Sequence, residues 1–326
     1  MVSLLHPKVL RYFSAVAQLG SVQAAAREVS ISASAIDRQI LRLEEHLGVP
    51  LFERQPRGMR LTAAGEMLIA LNQRYAAELN RTLSELKHLE GVARGEVRLA
   101  AMDSHANGLL PGFVEQLAGL HPGITLDIEI QSPDAAVVAL AEGRVDLAVA
   151  FNVKAARELH VLWSTELPLG CVVAPRHPLA ALASVTLREV AGWPLAVQSR
   201  QLTIRRYLER KHAWLLEQSA PALTSNSLQV LKAVVARGRH VALTSELDAA
   251  PEILAGTLRF VPVRDRNIQP QTLAVAINAD RPLPRIARTV TDLLARHAGA
   301  MLAGVRAAGQ GRPLKRARRT RAADPS

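Results

Sequence analysis

The segment Ser21–Gly48, SVQAAAREVSISASAIDRQILRLEEHLG, constrains the fold more than any other stretch of the chain. It predicts two helices separated by a turn of three or four residues around Ser30–Ser32. At about 100° per residue, Ile36, Ile40, Leu43 and Leu47 fall on one stripe of the second helix. Ser34, Asp37, Arg38, Leu41, Arg42 and Glu45 occupy the other face. Ser32 suits an N-cap and Gly48 the position just past the end. Alone, this helix reads equally well as a surface helix with a solvated face. Its surroundings decide otherwise. Upstream, Leu10, Phe13 and Val16 form a helical stripe that stops at Gly20, and Ser21 then caps a helix rich in small residues, Ala24, Ala25 and Ala26. Helices that cross closely leave no room for larger side chains. Short helix, tight turn and second helix are the sequence form of a helix-turn-helix, whose second helix presents its polar face to the DNA major groove. Downstream, GVPLFERQPRGMRLT places Gly48, Pro50, Pro56 and Gly58 as turn residues of a hairpin wing carrying Arg54, Arg57 and Arg60.

Composition bears on this reading only weakly. The 326 residues are enough for two or three domains, and 49 % of them are hydrophobic, so a sizeable core is expected. The net charge of +11 suggests a polyanionic partner, but residues 303–326 contribute seven Lys and Arg against one Asp, and residues 1–65 only eight against five. The single cysteine, Cys171, precludes an intramolecular disulfide and points to a cytoplasmic setting. His6, Lys8 and Arg11 interrupt any apolar leader, and no stretch approaches the ~20 apolar residues of a membrane span.

Residues 62–91 repeat Leu68, Leu71, Tyr75, Leu79, Leu83, Leu86 and Leu89 at three- and four-residue steps, which predicts one long helix with an apolar stripe. A helix reaching roughly 30 Å with nothing downstream to cover it wants a partner helix; packing on its own chain is the alternative. From Val97 strand and helix patterns alternate. VRLAAM, ITLDIEI, VDLAVAF, LGCVVA, PLAVQ, HVALTS, LRFVPV and TLAVAI are predicted strands, with helices near 108–120, 134–142, 200–217, 226–237 and 282–298, an α/β pattern with mostly parallel sheets. ITLDIEI alternates strictly, as an edge strand or one that meets a partner subunit does.

The pieces LRYFSAVAQLGSVQAAARE, RQILRLEEHLGVPLFER and RLTAAGE resemble the DNA-binding domain of LysR-type transcriptional regulators. LLPGFVEQLAGLHPGITLDIE, ALAEGRVDLAVAF, GCVVAPRHPLA, VTLREVAGWPLAVQS and LKAVVARGRHVALTSE resemble that family's effector domain. The resemblance spans about residues 4–300. It implies an N-terminal all-α winged helix-turn-helix plus a long linker helix, and a C-terminal α/β two-lobed effector domain like a periplasmic binding protein. The expected divisions are 1–65 for DNA binding, 66–94 for the dimerising linker, 95–163 with 268–300 for lobe I, 164–267 for lobe II, and 301–326 as a disordered basic tail. The chain departs from the family at Ala33-Ser34, where Gln-Pro is usual, at Asp37, where Ser is usual, and at His240, where a second glycine is favoured. The first two departures lie at the groove-facing start of the helix and put the usual operator sequence in doubt.

The expected DNA contacts are Ser32, Ser34, Asp37, Arg38, Arg42, Arg54, Arg57 and Arg60, with Arg38 and Arg54 on phosphates and Ser34 and Asp37 at base edges. For the effector, open α/β folds bind small molecules beyond the carboxyl ends of strands. Those ends carry Ser104 and His105, then Ser132, then Gln198, Ser199 and Arg200. Arg200 offers a countercharge for a small anionic metabolite, whereas Asp103 opposes one; Ser104 and Ser132 suit helix caps as well as contacts. No phosphate loop, nucleophile elbow or dinucleotide fingerprint occurs, and Asp103-Ser104-His105 is no triad, because triads assemble in space rather than from neighbours. No enzymatic activity, cofactor or metal is expected. The expected partners are double-stranded DNA with a twofold site, a small-molecule effector and a second copy, as dimer or tetramer, with RNA polymerase as a further candidate and no membrane. A transporter's solute-binding protein, or an enzyme on the same two-lobed scaffold, would account for residues 95–300 but not for 1–65. One recognition helix reads half of a twofold site, so light scattering at micromolar concentration should find at least a dimer; a stable monomer would refute the linker reading.

Overall fold

The computed structural model describes residues 5–56, 58–89, 94–153, 157–219, 221–281 and 283–310. Arg57 and residues 311–326 lie outside the described residues. The N-terminal unit runs α1 (Lys8–Leu19), α2 (Val22–Glu28), α3 (Ala33–Leu47), β1 (Phe52–Gln55), β2 (Gly58–Leu61) and α4 (Ala63–Leu89). Ser21 caps α2 by accepting from the Ala24 amide, and Ser32 caps α3 by accepting from the Ala35 amide, each at 3.3 Å. Gly48 ends α3 at φ 71°, a left-handed conformation that costs glycine nothing. Phe13, Val16, Ala25, Ile36, Ile40, Leu51 and Phe52 bury one core among these helices.

Two contacts set the wing. Glu44 of α3 accepts from the amides of Leu51 and Phe52 at 2.7 and 3.1 Å, tying the helix end to the first wing strand. The Met59 amide donates to the Gly20 carbonyl at 2.7 Å, and a Cβ on Gly58 would stand 2.3 Å from that same oxygen. Helix α4 spans 27 residues, roughly 40 Å at 1.5 Å per residue. Its buried Asn72 donates to Ser14 and to the Leu10 carbonyl and bonds His6, so α4 moves with α1. Along α4, Leu71, Tyr75 and Leu86 remain 52, 41 and 54 % exposed among the described residues, although the Tyr75 hydroxyl donates to the Leu5 carbonyl and its ring lies 5.6 Å from that of His6. The Leu89 side chain lies outside the described residues.

The remaining elements form two lobes. Lobe I opens with β3 (Gly95–Ala101), α5 (Asp103–Ala106), α6 (Leu109–Leu120), β4 (Ile124–Ile130), α7 (Pro133–Glu142), β5 (Leu147–Phe151) and β6 (Leu159–Leu167). Lobe II holds β7 (Leu169–Val173), α8 (Leu187–Ala191), β8 (Ala196–Gln198), α9 (Thr203–Lys211), α10 (Ala213–Ser219), β9 (Leu223–Ser225), α11 (Leu228–Val235), β10 (Ala242–Ser245), α12 (Ala250–Leu254) and β11 (Arg259–Pro262). The chain then returns to lobe I as β12 (Gln271–Asn278) and α13 (Arg285–Gln310).

The lobe I sheet has the order β4-β3-β5-β12-β6, with ITLDIEI at its edge as the alternation predicts. It is mixed, not mostly parallel. β3 runs parallel to β4 and β5, whereas β12 is antiparallel to both neighbours because it re-enters from the other lobe. In lobe II, β7 is central and antiparallel to β10 and β11, and β8 and β9 pair in parallel. Strand β6 has no counterpart among the predicted strands. It is a largely exposed edge whose sequence, LHVLWSTEL, lacks an unbroken apolar run. It extends to Leu167, so the first crossing between lobes falls at Pro168 rather than between 163 and 164. The predicted 200–217 helix is two helices interrupted at His212.

Residues 301–310 correct the expectation of a disordered tail beginning at 301. α13 runs on to Gln310, because Leu294, Ala298, Leu302 and Val305 continue one helical stripe and are all buried. Arg306 is ion-paired with Glu246 of lobe II. Two truncations should therefore separate. Removing 311–326, six Lys and Arg against one Asp, should flatten the salt dependence of DNA binding and leave the melting temperature within about a degree. Removing 302–326 strips two buried side chains and should cost several degrees, since each such truncation is worth about 2 kcal/mol or more. Calorimetry and salt titrations check both.

Candidate DNA interface and effector cleft

On the polar face of α3, Ser34, Arg38 and Arg42 are exposed, and Arg54 and Arg60 project from the wing beside it. Asp37 is partly covered, and its Oδ1 accepts from Arg54 Nη2 at 2.6 Å. This bond joins the recognition helix to the wing. An exposed pair of this kind contributes about 0–1 kcal/mol, less than a good base contact at about 1–3 kcal/mol, so it positions Arg54 without locking Asp37 away from a base. Ser32 is committed to capping α3, its hydroxyl also lying 3.3 Å from Ser34 Oγ. Arg57 lies outside the described residues.

Between the lobes, Met102, Asp103, Ser104, Phe151, Gln198, Leu202, Thr203, Ile204, Leu228 and Asp248 enclose a cavity with ≈ 20 Å³ of room for water-sized groups. One water needs about 10–15 Å³, so in this conformation the cleft admits a water-sized group and no metabolite. Polar contacts between the lobes hold it shut. Asp103 of lobe I accepts from the Leu228 amide at 2.6 Å, from Ser227 Oγ at 3.2 Å and from the Gln229 amide at 3.4 Å, thereby capping α11 of lobe II. Gln229 Nε2 returns a bond to the Asp103 carbonyl at 2.9 Å. Arg206 of α9 donates to Asp134 of α7 at 2.5 Å. Asn107 reaches Glu252 at 3.4 Å, and Arg306 pairs with Glu246.

Of the six effector contacts expected from sequence, the cavity gathers two, Ser104 and Gln198. Ser104 Oγ is buried without a hydrogen-bond partner, and Gln198 donates to the Leu243 carbonyl at 3.2 Å. Ser132 is outside the cavity, where its hydroxyl caps α7 by accepting from the Ala135 amide at 3.3 Å. Ser199 Oγ is buried without a partner but does not line the cavity. Arg200 is corrected more sharply. Its side chain is 81 % exposed and paired with Glu209 at 2.9 Å, so it brings no countercharge to the cleft. Asp248 escaped the sequence reading. It sits at the end of a turn after β10, 2 % exposed, with Oδ2 accepting from Thr244 Oγ1 at 2.8 Å and Oδ1 unpartnered.

His105 is buried and does not line the cavity. Its Nδ1 accepts from the Met102 amide at 3.4 Å, its ring lies 5.6 Å from that of Phe151, and Nε2 has no partner. Burial holds its pKa below the usual 6.5, partly offset by the Asp248 carboxylate. Cys171 in β7 is fully buried, and burial pushes its thiol up to about 12, which removes the thiolate on which redox sensing depends. Buried Lys232 is held by Glu252 at 2.8 Å and by the Asp248 carbonyl at 2.9 Å. Among the described residues no group of three or more His, Cys, Asp or Glu could hold a metal, and no helix is long and apolar enough to cross a membrane.

Because His105 is harder to protonate folded than unfolded, it opposes folding once pH falls through about 6.5. Unfolding followed from pH 7.5 to 5.5 should show stability falling with acid. His105→Gln should flatten the fall by up to one proton's share, the remainder coming from His177, His212 and His297, which burial lowers in the same direction. An unchanged slope in the variant would refute this.

Residues 7–66 match the family model described as bacterial regulatory helix-turn-helix protein, lysR family, and residues 90–299 match the LysR substrate binding domain. A probable RuBisCO transcriptional regulator of Synechocystis sp. is 26 % identical over 282 residues, which cover 83 % of this chain and 80 % of that one. The regulator BbuR of Bordetella bronchiseptica is 28 % identical over 288 residues, 88 % of each chain. A probable nitrogen assimilation transcriptional activator of Synechococcus elongatus is 30 % identical over 231 residues, 70 % of this chain and 74 % of that one. Among solved structures, CbnR complexed with its target DNA superposes with a TM-score of 0.65 at 18 % identity, covering 90 % of this chain and 99 % of CbnR, a likeness of fold.

Proposed function

The chain belongs to the LysR family of transcriptional regulators, and from that premise we propose how its own residues divide the work. Residues 1–65 read DNA, 66–94 pair two chains, and 95–300 respond to a small molecule. The observation that carries the first assignment is the cluster of exposed Arg38, Arg42, Arg54 and Arg60 around the α3 face and the wing, with Ser34 and Asp37 among them. Arg38 and Arg54 take phosphates; Ser34 and Asp37 face base edges, where a carboxylate accepts from cytosine N4. CbnR, which shares the fold, is solved in complex with its target DNA. The exposed Leu71, Tyr75 and Leu86 face of α4 is covered by a second copy. Contact with RNA polymerase belongs to the same proposal, as for any regulator bound beside a promoter. The reading assigns the chain no catalytic step.

The effector acts through the relation between the lobes. A ligand shifts a conformational equilibrium only by binding one arrangement more tightly than another. Because the closed cleft has room only for a water-sized group, an effector acts either by fitting that space and fastening the closed arrangement or by holding the lobes further apart, and either way changes the lobe contacts that the linker helices sense. The anion expected from sequence loses its support with Arg200 outside the cleft.

Fluorescence anisotropy with the DNA upstream of the protein's own gene tests the DNA assignments. Arg38→Ala should weaken binding to all sequences by about tenfold, while Asp37→Ser should change which half-site is preferred. An Asp37→Ser protein with the wild-type preference would reduce Asp37 to holding Arg54.

A further inference from the structure

The anion position in the cleft is already filled from within. The first amides of α11 and the Ser227 hydroxyl are the donors an incoming carboxylate or phosphate would use, and Asp103 of the opposite lobe takes them. The cavity lining is short of donors; the nearby His105, whose Nε2 is an unpartnered buried donor and whose ring the Asp248 carboxylate acts on, is not part of it. Asp248 Oδ1 and Ser104 Oγ are both unpartnered, on residues 2 and 8 % exposed. No Lys, Arg or His lines the cavity, while two carboxylates do. Lys232, beneath Asp248, is spent on Glu252 and on the Asp248 carbonyl. A buried carboxylate oxygen with no hydrogen-bond donor is costly to leave so. The species that relieves it must be water-sized, must donate hydrogen bonds, and is best positively charged.

We propose that the interlobe cavity binds a primary ammonium group, donating to Asp248 Oδ1 and Ser104 Oγ, and that this group fastens the closed arrangement of the lobes. The proposal rests on the reading of the cleft as the effector site and supplies the ligand's chemical class. Its source is either the free ammonium ion, which fits the closed cavity whole, or the head of a larger amine whose chain leaves past Thr203. Thr203 lines both the cavity and an outer groove of ≈ 390 Å³ that also includes Arg206, Tyr207 and Gln271.

The test is thermal unfolding of the full chain in ammonium, methylammonium or n-butylammonium chloride against equal potassium chloride, tetramethylammonium chloride and sodium acetate. A saturable rise of about 3 °C or more at tenfold excess over Kd is expected with a primary ammonium and absent from the controls. Ammonium or methylammonium alone being active identifies the small ion; n-butylammonium binding more tightly identifies a larger amine. Asp248→Asn and Ser104→Ala should each weaken the response at least tenfold. If Asp248→Asn does not fold, Ser104→Ala and the donor-free tetramethylammonium control decide. No rise with any amine, an equal rise with potassium or tetramethylammonium, a rise with acetate alone, or an undiminished rise in the variants would each overturn the proposal. Operator binding by the wild-type chain is measured alongside. Its failure would sink the regulator reading and leave the amine result standing, and its success with no amine response would sink only the ligand class.

Discussion

The bonds from the start of α11 to the Asp103 carboxylate hold the effector domain in the form described. They join Asp103, the second residue after β3 of lobe I, to the free amides of a lobe II helix, so one side chain ties the two lobes together. Hydrogen bonds to a charged group contribute about 1.5–3 kcal/mol each, against about 0–1 kcal/mol for an exposed pair such as Arg206–Asp134. The lobes therefore hinge on Asp103 first and on the rim pairs second. Arg306–Glu246 adds a clasp at the far end of α13, which explains why that helix continues past the body of lobe I.

Closure decides the chemistry left inside. With the helix amides taken by Asp103 and Lys232 neutralised by Glu252, the cavity keeps unsatisfied acceptors and no cation. Cys171, inside the lobe II core, and His105 are both buried, so neither offers thiolate or imidazolium chemistry near neutrality. What the lobes can respond to is narrowed by what they have already satisfied.

At the other end of the molecule, rigidity is built by backbone contacts. Glu44 binds the wing to α3, Gly58 lets the wing approach Gly20, and Asn72 welds α4 to α1. A displacement of α4 is thereby passed to α3 with little slack. The Asp37–Arg54 pair is the weak member of this set, exposed and easily broken.

Local periodicity carried much of this into the sequence. The capped helices, the wing, the long linker and the apolar strands were legible because each is specified by residues within one turn or one pleat of one another: Ser32 and Ala35, Gly48, the buried run LAVAF. The motif resemblance extended that to the two-lobed plan. β6 was not legible, because an edge strand needs only one partner and little apolar sequence, and the run of α13 through Leu302 and Val305 was obscured by the basic composition that follows it. In the cleft, Ser104 and Gln198 were found as strand ends. Arg200 was misplaced and Asp248 missed, because a side chain's direction, and whether a neighbour such as Glu209 has claimed it, depend on elements far apart in sequence. The sequence by itself determined which elements exist and which faces they bury. Only the tertiary structure decided which polar groups meet across the lobes, because a hydrogen bond is settled by distances of tenths of an ångström between segments more than a hundred residues apart, as Asp103 and Leu228 are.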